Sequence, residues 1–490
     1  MQLQKLLDTL ICDRVIGPDD VTVTGVQSDS RLVGPANVFV AVRGPASDGH
    51  DYIARAIDAG ATAVVCQDLP ATLPDGVTFV HVPDSAVALG TLASAWYGYP
   101  SQKLTLVGVT GTNGKTTVAT LLYQAARLAG HRAGLLSTVE NRVDDTVIPA
   151  RNTTPSPLEI NRLLAQMVER GCTFAAMEVS SHGQVQKRTA GLRFAGGIFT
   201  NLTRDHLDYH KTFDNYLLAK KSFFDMLPRG AWALVNADDS HGSVMVQNTD
   251  GRRYTYSMHG DADFRGRAVE CRIDSTLLSV NGTEVETRFT GRFNCYNLLA
   301  VYGALTLLGY SPEQAAVTLS QLTPVAGRFQ TFRSRDGVVA VVDYAHTPAA
   351  LANGLTAIRG VMGAGARLVT VTGAGGNRDH GKRPQMGAQA VALSDRLIVT
   401  SDNPRDEDPE DIAQDILAGI PVDSTVQTDV ILDRAAAIHA AVAEARPGDI
   451  VLIAGKGHET YQEFAAGRRI HFDDREQAQA ALRARCLPME

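Results

Sequence analysis

The stretch LTLVGVTGTNGKTTVATLL (residues 104–122) constrains the fold of this chain more than any other segment. An apolar, strand-like run leads into a glycine-rich turn, and Lys115, Thr116 and Thr117 then open an amphipathic helical pattern. Glycines let backbone N–H groups close around phosphate oxygens, and a helix N-terminus adds positive potential there. The pattern predicts a buried strand, a phosphate-binding loop and a helix, as in a nucleotide-binding α/β domain.

The match to the general G-x4-G-K-[ST] pattern is imperfect, because Gly111 is too near Gly114 and Gly108 is one residue too far away. A glycine turn followed by a chance Lys-Thr pair is the competing interpretation. The order of strand, loop and helix favours a site for ATP or GTP, with Lys115 on the outer phosphates and Thr116 on Mg²⁺. The residues expected to bind the nucleotide through this loop are Gly111, Thr112, Asn113, Gly114, Lys115, Thr116 and Thr117.

The chain of 490 residues is too long for a single hydrophobic core. Breaks near residues 96–103 and 322–330 separate segments in which apolar strands alternate with helical patterns. This alternation predicts α/β domains with parallel sheets covered on both faces, at 1–100, 101–327 and 328–490. A helix is predicted at 52–61, and strands at 37–44, 61–68, 104–110, 174–180, 195–201, 232–236, 338–346, 367–373, 396–402 and 449–455.

Composition excludes several classes of function. The net charge is −7 with no basic block, so no nucleic-acid partner is expected. No apolar run is long enough to span a membrane, and the N-terminus is a poor signal peptide. Six scattered cysteines without a CxxC pair predict reduced thiols in a cytoplasmic protein and argue against a zinc site or a disulfide framework.

Further motifs make the sequence resemble the Mur ligases, the ATP-dependent amide-forming enzymes of peptidoglycan precursor assembly. They occur in the family's order along the whole chain, and the resemblance is strongest to the members that add the third peptide residue. Besides TGTNGKTT (110–117), the motifs are NTTPSP (152–157), MEVSSHGQVQKR (177–188), FTNLTRDHLDYH (199–210), YLLAKKSFF (216–224), GRFNCYNLLA (291–300), GRFQ (327–330), DYAHTP (343–348), GNRDHGKRP (376–384), DNPR (402–405) and GKGHE (455–459).

The resemblance implies an N-terminal UDP-substrate domain, a central ATPase-like domain with a parallel sheet, and a Rossmann-like C-terminal domain. It implies ATP-dependent addition of meso-diaminopimelate to UDP-N-acetylmuramoyl-L-alanyl-D-glutamate through an acyl phosphate, with two Mg²⁺ ions as cofactors. A monomer is expected. An alternative of a different class is a nucleotide-dependent regulatory switch, and the nearest rivals within the ligase class are other members of the superfamily, including the folate polyglutamate ligases. No Asn/Thr-Lys-x-Asp stretch supports a GTPase switch, and the N-terminal domain and DNPR argue against the folate ligases.

In the family, the equivalents of Glu178 and His206 are metal ligands, and the equivalent of Lys220 carries a carbamate formed with CO₂ that holds a second Mg²⁺. From the residues alone, Glu178 reads as a surface acid at a strand end and His206 as an ordinary loop histidine. Lys220 and Lys221 together read as a solvated pair on a helix. The match to YLLAK selects Lys220 for the modification.

Other ligand contacts are likewise implied by the resemblance. For the nucleotide they are Asn297, Arg328 and Asp343, although an arginine at a domain joint could equally form an interdomain salt bridge. Without the motif, NTT would read as a cap or turn. The residues expected to hold the UDP-muramoyl dipeptide are Ser28, Ser30, Asn152, Thr153, Thr154, Ser180, Gln186 and Arg188.

The segment DNPR follows an apolar strand and gathers a carboxylate, an amide and a guanidinium. The planar fork of Arg405 suits a carboxylate, and Asp402 and Asn403 suit loop orientation or contacts to an ammonium. A simple polar turn is the alternative. Lysine lacks the distal carboxylate of diaminopimelate and would leave the guanidinium of Arg405 without that partner. The expected discrimination against lysine is roughly 2–5 kcal/mol. The residues expected to bind diaminopimelate are Arg378, Asp402, Asn403, Pro404, Arg405, Gly455 and Glu459.

Overall fold

The computed structural model describes residues 1–45 and 47–485, which form three α/β units, each on its own sheet. The first sheet has the strand order β1-β5-β4-β3-β2 and is parallel except for the antiparallel edge strand β1. Its elements are α1 (Leu3–Leu7), β1 (Arg14–Ile16), β2 (Gly25–Gln27), β3 (Asn37–Val40), α2 (Ile53–Asp58), β4 (Ala61–Cys66), β5 (Thr78–His81) and α3 (Ser85–Trp96).

The central unit contains an eleven-stranded sheet of order β16-β15-β14-β13-β12-β11-β6-β10-β7-β8-β9. The strands from β14 to β7 are parallel, and antiparallel strands extend both ends. Its elements are β6 (Thr105–Thr110), α4 (Lys115–Leu128), β7 (Ala133–Leu136), β8 (Glu140–Val143), β9 (Thr146–Pro149), α5 (Pro157–Glu169), β10 (Phe174–Glu178), α6 (Ser181–Val185), β11 (Gly196–Phe199), α7 (Leu207–His210), α8 (Phe213–Asp225), β12 (Trp232–Asn236), α9 (Gly242–Met245), β13 (Arg252–Ser257), β14 (Phe264–Cys271), β15 (Thr276–Val280), β16 (Thr283–Thr287), α10 (Arg292–Leu307) and α11 (Pro312–Gln321).

The third unit has a six-stranded sheet of order β17-β18-β22-β19-β20-β21 and a separate hairpin, β23–β24. Only β17 runs antiparallel to its neighbour within the six-stranded sheet. Its elements are β17 (Gln330–Arg333), β18 (Val339–Asp343), α12 (Pro348–Arg359), β19 (Leu368–Thr372), α13 (Lys382–Leu393), β20 (Arg396–Val399), α14 (Pro409–Leu417), β21 (Gln427–Val430), α15 (Arg434–Glu444), β22 (Ile450–Ala454), β23 (Tyr461–Phe464), β24 (Arg468–His471) and α16 (Asp474–Ala484).

The apolar runs form the buried central strands because both faces of each sheet are covered. In β6, Val107 and Val109 pack into one core, while Leu106 packs into the core on the opposite face. All ten predicted strands and the predicted helix are confirmed; β12 has its predicted bounds, and the others are shorter than their patterns at one or both ends. The boundaries at residues 100 and 327 remain predictions, and no helix among the described residues is long and apolar enough to cross a membrane.

A buried ion pair holds two loops of the third unit in place. Arg434 and Asp474 are both fully buried and joined by two hydrogen bonds of 2.7 Å. Arg434 also donates to the carbonyl oxygens of Ala454 (3.0 Å) and Ser401 (3.4 Å), where the segments GKGHE and DNPR begin. The pair therefore fixes the start of both segments.

Replacing this arginine is expected to destabilise the third unit. Arg434→Ala leaves the Asp474 carboxylate buried without its partner, which costs about 3–5 kcal/mol. The urea midpoint measured by far-UV circular dichroism should fall, whereas the exposed Arg446→Ala should leave it unchanged. Equal midpoints for the two variants would contradict this role for the pair.

Candidate active site

A cavity of about 1540 Å³ lies where the carboxyl ends of the central and C-terminal sheets face each other. In the central sheet, β11, β6 and β10 are neighbours whose following loops meet at one edge, and open α/β sheets bind ligands at such edges. The loops after β18, β19, β20 and β22 form the opposite wall. The predicted site residues that line the cavity are Lys115, Asn152, Thr153, Thr154, Ser180, Gln186, Arg188, His206, Lys220, Arg378, Asp402, Asn403, Arg405, Gly455 and Glu459.

The other predicted residues do not line this cavity. Ser28 and Ser30 lie in the N-terminal unit, beside the short turn that follows β2. Glu178 is fully buried at the end of β10, behind the cavity wall. The remaining members of this group are Gly111, Thr112, Asn113, Gly114, Thr116, Thr117, Asn297, Arg328, Asp343 and Pro404.

The phosphate loop is held in an open backbone conformation by two glycines. Gly111 has φ +145° and Gly114 has φ +88°, and a Cβ at Gly114 would collide with the side-chain oxygen of Asn297. Asn201 accepts a hydrogen bond from the N–H of Asn113 (3.0 Å) and donates to its carbonyl oxygen (3.1 Å). The loop is therefore fixed from the neighbouring strand end before helix α4 begins.

Lys115 and Lys220 approach the same loop from two helices. The Nζ of Lys115 donates to the carbonyl oxygens of Gly111 (3.0 Å) and Thr112 (2.9 Å). The Nζ of Lys220 donates to Gly111 as well (2.7 Å) and lies 4.6 Å from the centre of the Tyr216 ring. Burial, together with the nearby Lys115 ammonium, holds the pKa of Lys220 well below its usual value.

The two lysines in YLLAKK have different environments. Lys220 is 1% exposed and lines the cavity, whereas Lys221 forms a 2.6 Å ion pair with Asp225 and does not line it. The interpretation of both as a solvated surface pair is wrong, because α8 packs this face against the core. A buried amine whose pKa is lowered is more readily available in the neutral form that reacts with CO₂, but the carbamate on Lys220 remains a prediction.

Two of the predicted metal ligands are oriented by neighbours. The Glu178 carboxylate accepts hydrogen bonds from the backbone N–H (2.7 Å) and hydroxyl (3.2 Å) of Thr138. His206 has a left-handed backbone, φ +54°, and its Nε2 lies 3.3 Å from the Asp205 carboxylate. Burial lowers the pKa of His206 to about 4, so its imidazole is neutral and able to coordinate a cation near neutral pH.

The donor set fits Mg²⁺ bound together with water and substrate phosphates, and modification of Lys220 would add the oxygens for a second ion. Among residues 1–45 and 47–485, no three His, Cys, Asp or Glu side chains converge in a preformed metal site. Mg²⁺ prefers oxygen ligands and usually keeps water and substrate phosphates in its coordination shell. Thr116, Glu178 and a carbamate on Lys220 would supply such oxygens, whereas an unmodified amine at Lys220 would supply none.

The segments 152–154 and 179–188 form one wall of the cavity, and their polar side chains are connected by hydrogen bonds. Thr154 donates to the carbonyl oxygen of Glu178 (2.9 Å) and accepts from the N–H of Ser180 (2.9 Å). Gln186 accepts from Arg188 at 2.7 Å and 3.1 Å, and Arg188 also donates to the carbonyl oxygen of Thr154. These side chains are preorganised to present hydrogen-bonding groups to a polar ligand.

Arg328 joins the central and C-terminal units at the phosphate loop. Its Nη2 donates to the Thr116 hydroxyl (3.1 Å), and its guanidinium lies 4.4 Å from the centre of the Tyr344 ring. Asp343 accepts from the N–H of Phe329 (3.0 Å), and burial raises the pKa of this carboxyl group. Among residues 1–45 and 47–485, Arg328 forms no salt bridge with a carboxylate, and its contact with Thr116 favours the nucleotide role.

In DNPR, Asn403 forms hydrogen bonds through both its amide nitrogen and its amide oxygen, and it thereby orients neighbouring residues. Its Nδ2 donates to Glu459 (2.8 Å), and its Oδ1 accepts from Lys456 (2.9 Å) and from the N–H of Glu463 (2.9 Å). Burial alone would raise the pKa of Asp402, but the Lys456 and Arg434 cations hold this pKa below its usual value. Asp402 thus offers a buried anion to the cavity.

Arg405 has hydrogen-bond partners within the protein, so a ligand without the distal carboxylate would not leave the guanidinium wholly unpaired. Its Nε donates to Glu463 (3.2 Å) and its Nη1 to the carbonyl oxygen of Gly376 (2.8 Å). Both partners come from segments distant in sequence, so the DNPR pattern could not reveal them. Arg405 still lines the cavity, and its Nη2 forms no hydrogen bond with the described residues.

Several residues of the site were missed by the sequence patterns. His346, Lys382 and Lys456 belong to motifs quoted above and could have been found there. Thr138 and Glu463 belong to none of them, so only their contacts reveal them. Burial lowers the pKa of Lys382, and its neighbouring anions Asp205 and Asp402 oppose this shift from the two walls of the cavity.

Three family models match the chain in succession. The Mur ligase family, catalytic domain model matches residues 22–97, the Mur ligase middle domain model matches 109–305, and the Mur ligase, glutamate ligase domain model matches 327–457. Together they reach all three sheets.

Curated relatives match over nearly the whole length. UDP-N-acetylmuramoyl-L-alanyl-D-glutamate--2,6-diaminopimelate ligase from Parabacteroides distasonis is 55% identical over 97% of this chain and 98% of its own. The ligase of the same name from Cytophaga hutchinsonii is 49% identical over the same shares. A solved structure of a ligase with that name has a TM-score of 0.70 at 31% identity, covering 100% of both chains. The MurF ligase from Thermotoga maritima in complex with ADP shares the fold, with a TM-score of 0.62 at 18% identity over 94% of this chain and 99% of its own.

Proposed function

Since the chain belongs to the Mur ligase family, we propose that it is an ATP-dependent ligase that joins meso-diaminopimelate to the D-glutamate carboxylate of UDP-N-acetylmuramoyl-L-alanyl-D-glutamate. The products are the UDP-muramoyl tripeptide, ADP and phosphate. One observation carries the proposal: Lys115 of the phosphate loop shares a single cavity with groups suited to a polar peptide substrate and to an amino acid. Such an arrangement brings a carboxylate, a phosphoryl group and an amine together.

Amide formation from a carboxylate in water requires activation. A carboxylate oxygen attacks the γ-phosphorus of ATP and displaces ADP, and the amine then attacks the acyl carbon, loses a proton and displaces phosphate. Lys115 and the N-terminus of α4 stabilise charge on the transferred phosphoryl group. Thr154, Gln186 and Arg188 bind the muramoyl-peptide end and orient the carboxylate for the attack.

Thr116, Glu178, His206 and the carbamate of Lys220 are proposed to hold Mg²⁺, with two ions in the complete site. Magnesium would neutralise the crowded phosphates and the reacting carboxylate. In the chain itself, burial lowers the pKa of the Lys220 amine, which favours its neutral form, and Thr138 holds Glu178 in a fixed orientation. Loss of the Thr138 contacts would free Glu178 to rotate.

Asp402, Asn403, Glu459 and Gly455 are proposed to surround the distal amino-acid centre of diaminopimelate, with Arg378 and Arg405 on its carboxylates. The outer edge of Arg405 offers Nη1 and Nη2 for a bidentate pair. Lysine lacks that carboxylate. Because Glu463 and Gly376 still hold the guanidinium, the cost of lysine is one charge-assisted pair, about 1.5–3 kcal/mol or about 10- to 150-fold.

Arg405→Ala is expected to raise the KM for diaminopimelate by about 10- to 150-fold and to reduce the preference over lysine by a similar factor. Steady-state kinetics with each amino acid would measure both, with the exposed Arg446→Ala as the matched control. Unchanged preference in Arg405→Ala, or equal use of lysine by the native enzyme, would contradict the assignment of this loop.

The proposed activity is separated from that of a nucleotide-dependent regulator by its substrate requirement. ADP release should need the UDP-muramoyl dipeptide and diaminopimelate together, and should produce the tripeptide in equal amount. ATP hydrolysis at the same rate with neither substrate would favour a regulator.

We further propose that the chain has domains at 1–100, 101–327 and 328–490, that it is a monomer, and that it is located in the cytoplasm alongside its nucleotide substrates.

A further inference from the structure

The hairpin β23–β24 brings a carboxylate to the edge of the proposed amino-acid site. Glu463 accepts from the Nε of Arg405 (3.2 Å), and its own backbone accepts from the N–H of Arg405 (3.1 Å). Its N–H donates to Asn403 (2.9 Å), so the hairpin is joined to DNPR by three hydrogen bonds. The two charged side chains are 17% and 21% exposed, so water screens their pairing only in part.

These contacts leave one edge of the Arg405 guanidinium available. The Nε–H is used by Glu463, and one Nη1 hydrogen is used by the carbonyl oxygen of Gly376 (2.8 Å). The remaining Nη1 and Nη2 hydrogens form an outer edge that can bind a carboxylate through two hydrogen bonds. Glu463 and a ligand carboxylate can therefore occupy different edges of the same guanidinium.

The same glutamate holds a second cavity-lining arginine. Its Oε1 accepts from Arg469 (3.2 Å), whose guanidinium lies 4.0 Å from the centre of the Tyr461 ring. Both Arg469 and Tyr461 line the cavity. One carboxylate thus fixes two guanidinium groups on the same rim.

We propose that Glu463 is a positioning residue for amino-acid selection, because it aims the outer edge of Arg405 at the distal carboxylate of diaminopimelate and holds Arg469 beside it. This inference rests on the proposed function. Without Glu463, the long side chain of Arg405 regains rotamer freedom, which must be lost again when the ligand binds. A glutamate that merely competed with the ligand for Arg405 would have the opposite effect, since its removal would strengthen binding.

Kinetics of Glu463→Ala distinguish positioning from competition. We expect the KM for diaminopimelate to rise about 10-fold, with kcat and the KM values for ATP and the UDP-muramoyl dipeptide unchanged. Glu463→Gln should give a smaller rise, because its amide oxygen can still accept from Nε. The matched control is Glu476→Ala, whose exposed carboxylate pairs with His471 instead. A lower KM for diaminopimelate, or an equal loss with every substrate, would overturn the proposal.

A double-mutant cycle tests whether Glu463 acts through Arg405. In the Arg405→Ala background, Glu463→Ala should change the KM for diaminopimelate less than about two-fold. The same 10-fold rise in both backgrounds, or no rise in the native background, would overturn the positioning role while leaving the ligase assignment intact. If Arg405→Ala itself leaves this KM unchanged, the amino-acid site is misassigned, and the role of Glu463 fails with it.

Discussion

Lys115→Ala is expected to lower kcat by about 10²–10³-fold or more, close to the limit of detection. The variant removes the cation that faces the outer phosphates, while the glycine turn and the Asn201 contacts that shape the loop remain. The pKa of Lys115 is lowered by burial, so its charge lies in a region where electrostatic interactions are strong. Tripeptide formation measured with saturating substrates would report the loss.

The control for this variant is Lys103→Ala, an exposed lysine just before β6. It should retain native turnover, and far-UV circular dichroism of both variants should match the native protein. Turnover of Lys115→Ala within about two-fold of the control, with a native spectrum, would contradict the phosphate-loop assignment.

Lys220→Ala is expected to lower activity by more than about 100-fold, because the carbamate that would hold Mg²⁺ cannot form. High bicarbonate should not restore turnover, since the variant has no amine to react with CO₂. Acetate or formate should restore part of it by placing a carboxylate in the space left by the side chain. Turnover measured across a concentration series of each acid would detect this rescue.

Two further variants make the Lys220 experiment specific. Lys220→Arg keeps a cation but cannot take up CO₂ to bind a metal, so it should be as inactive as Lys220→Ala. Lys221→Ala removes the neighbouring lysine that pairs with Asp225, and it should keep most of its activity. Near-native turnover of Lys220→Arg would contradict the carbamate, whatever the alanine variant does.

The elements that position the site were predictable from sequence because their signals are local. Residues 104–122 form the predicted strand, loop and helix, with Lys115 as the first helical residue. The run that became β22 is apolar throughout, and those that became β10 and β18 are apolar up to a final acidic residue, as is typical of strands covered on both faces. The polar patterns of the β13–β16 region and the β23–β24 hairpin carried no comparable signal and were missed.

Contacts between distant segments were not predictable in the same way. The patterns treated Lys220 and Lys221 as equivalent, and only family resemblance separated them. In the fold, Lys220 reaches Gly111, 109 positions away in sequence. The partner of Arg405 was not apparent for the same reason, because Glu463 is 58 positions further along the chain.

The sequence by itself determined the α/β class, the strand, loop and helix of residues 104–122, the family and fifteen of the residues that line the cavity, because periodicity and motif are properties of neighbouring residues. The tertiary structure alone decided which edge of Arg405 is free, which lysine of α8 is buried beside the loop, and that Thr138 and Glu463 orient charged groups of the site. Burial, charge pairing and hydrogen-bond direction depend on distances in space. Those distances are set only when the loops and helices of each unit pack around their own sheet.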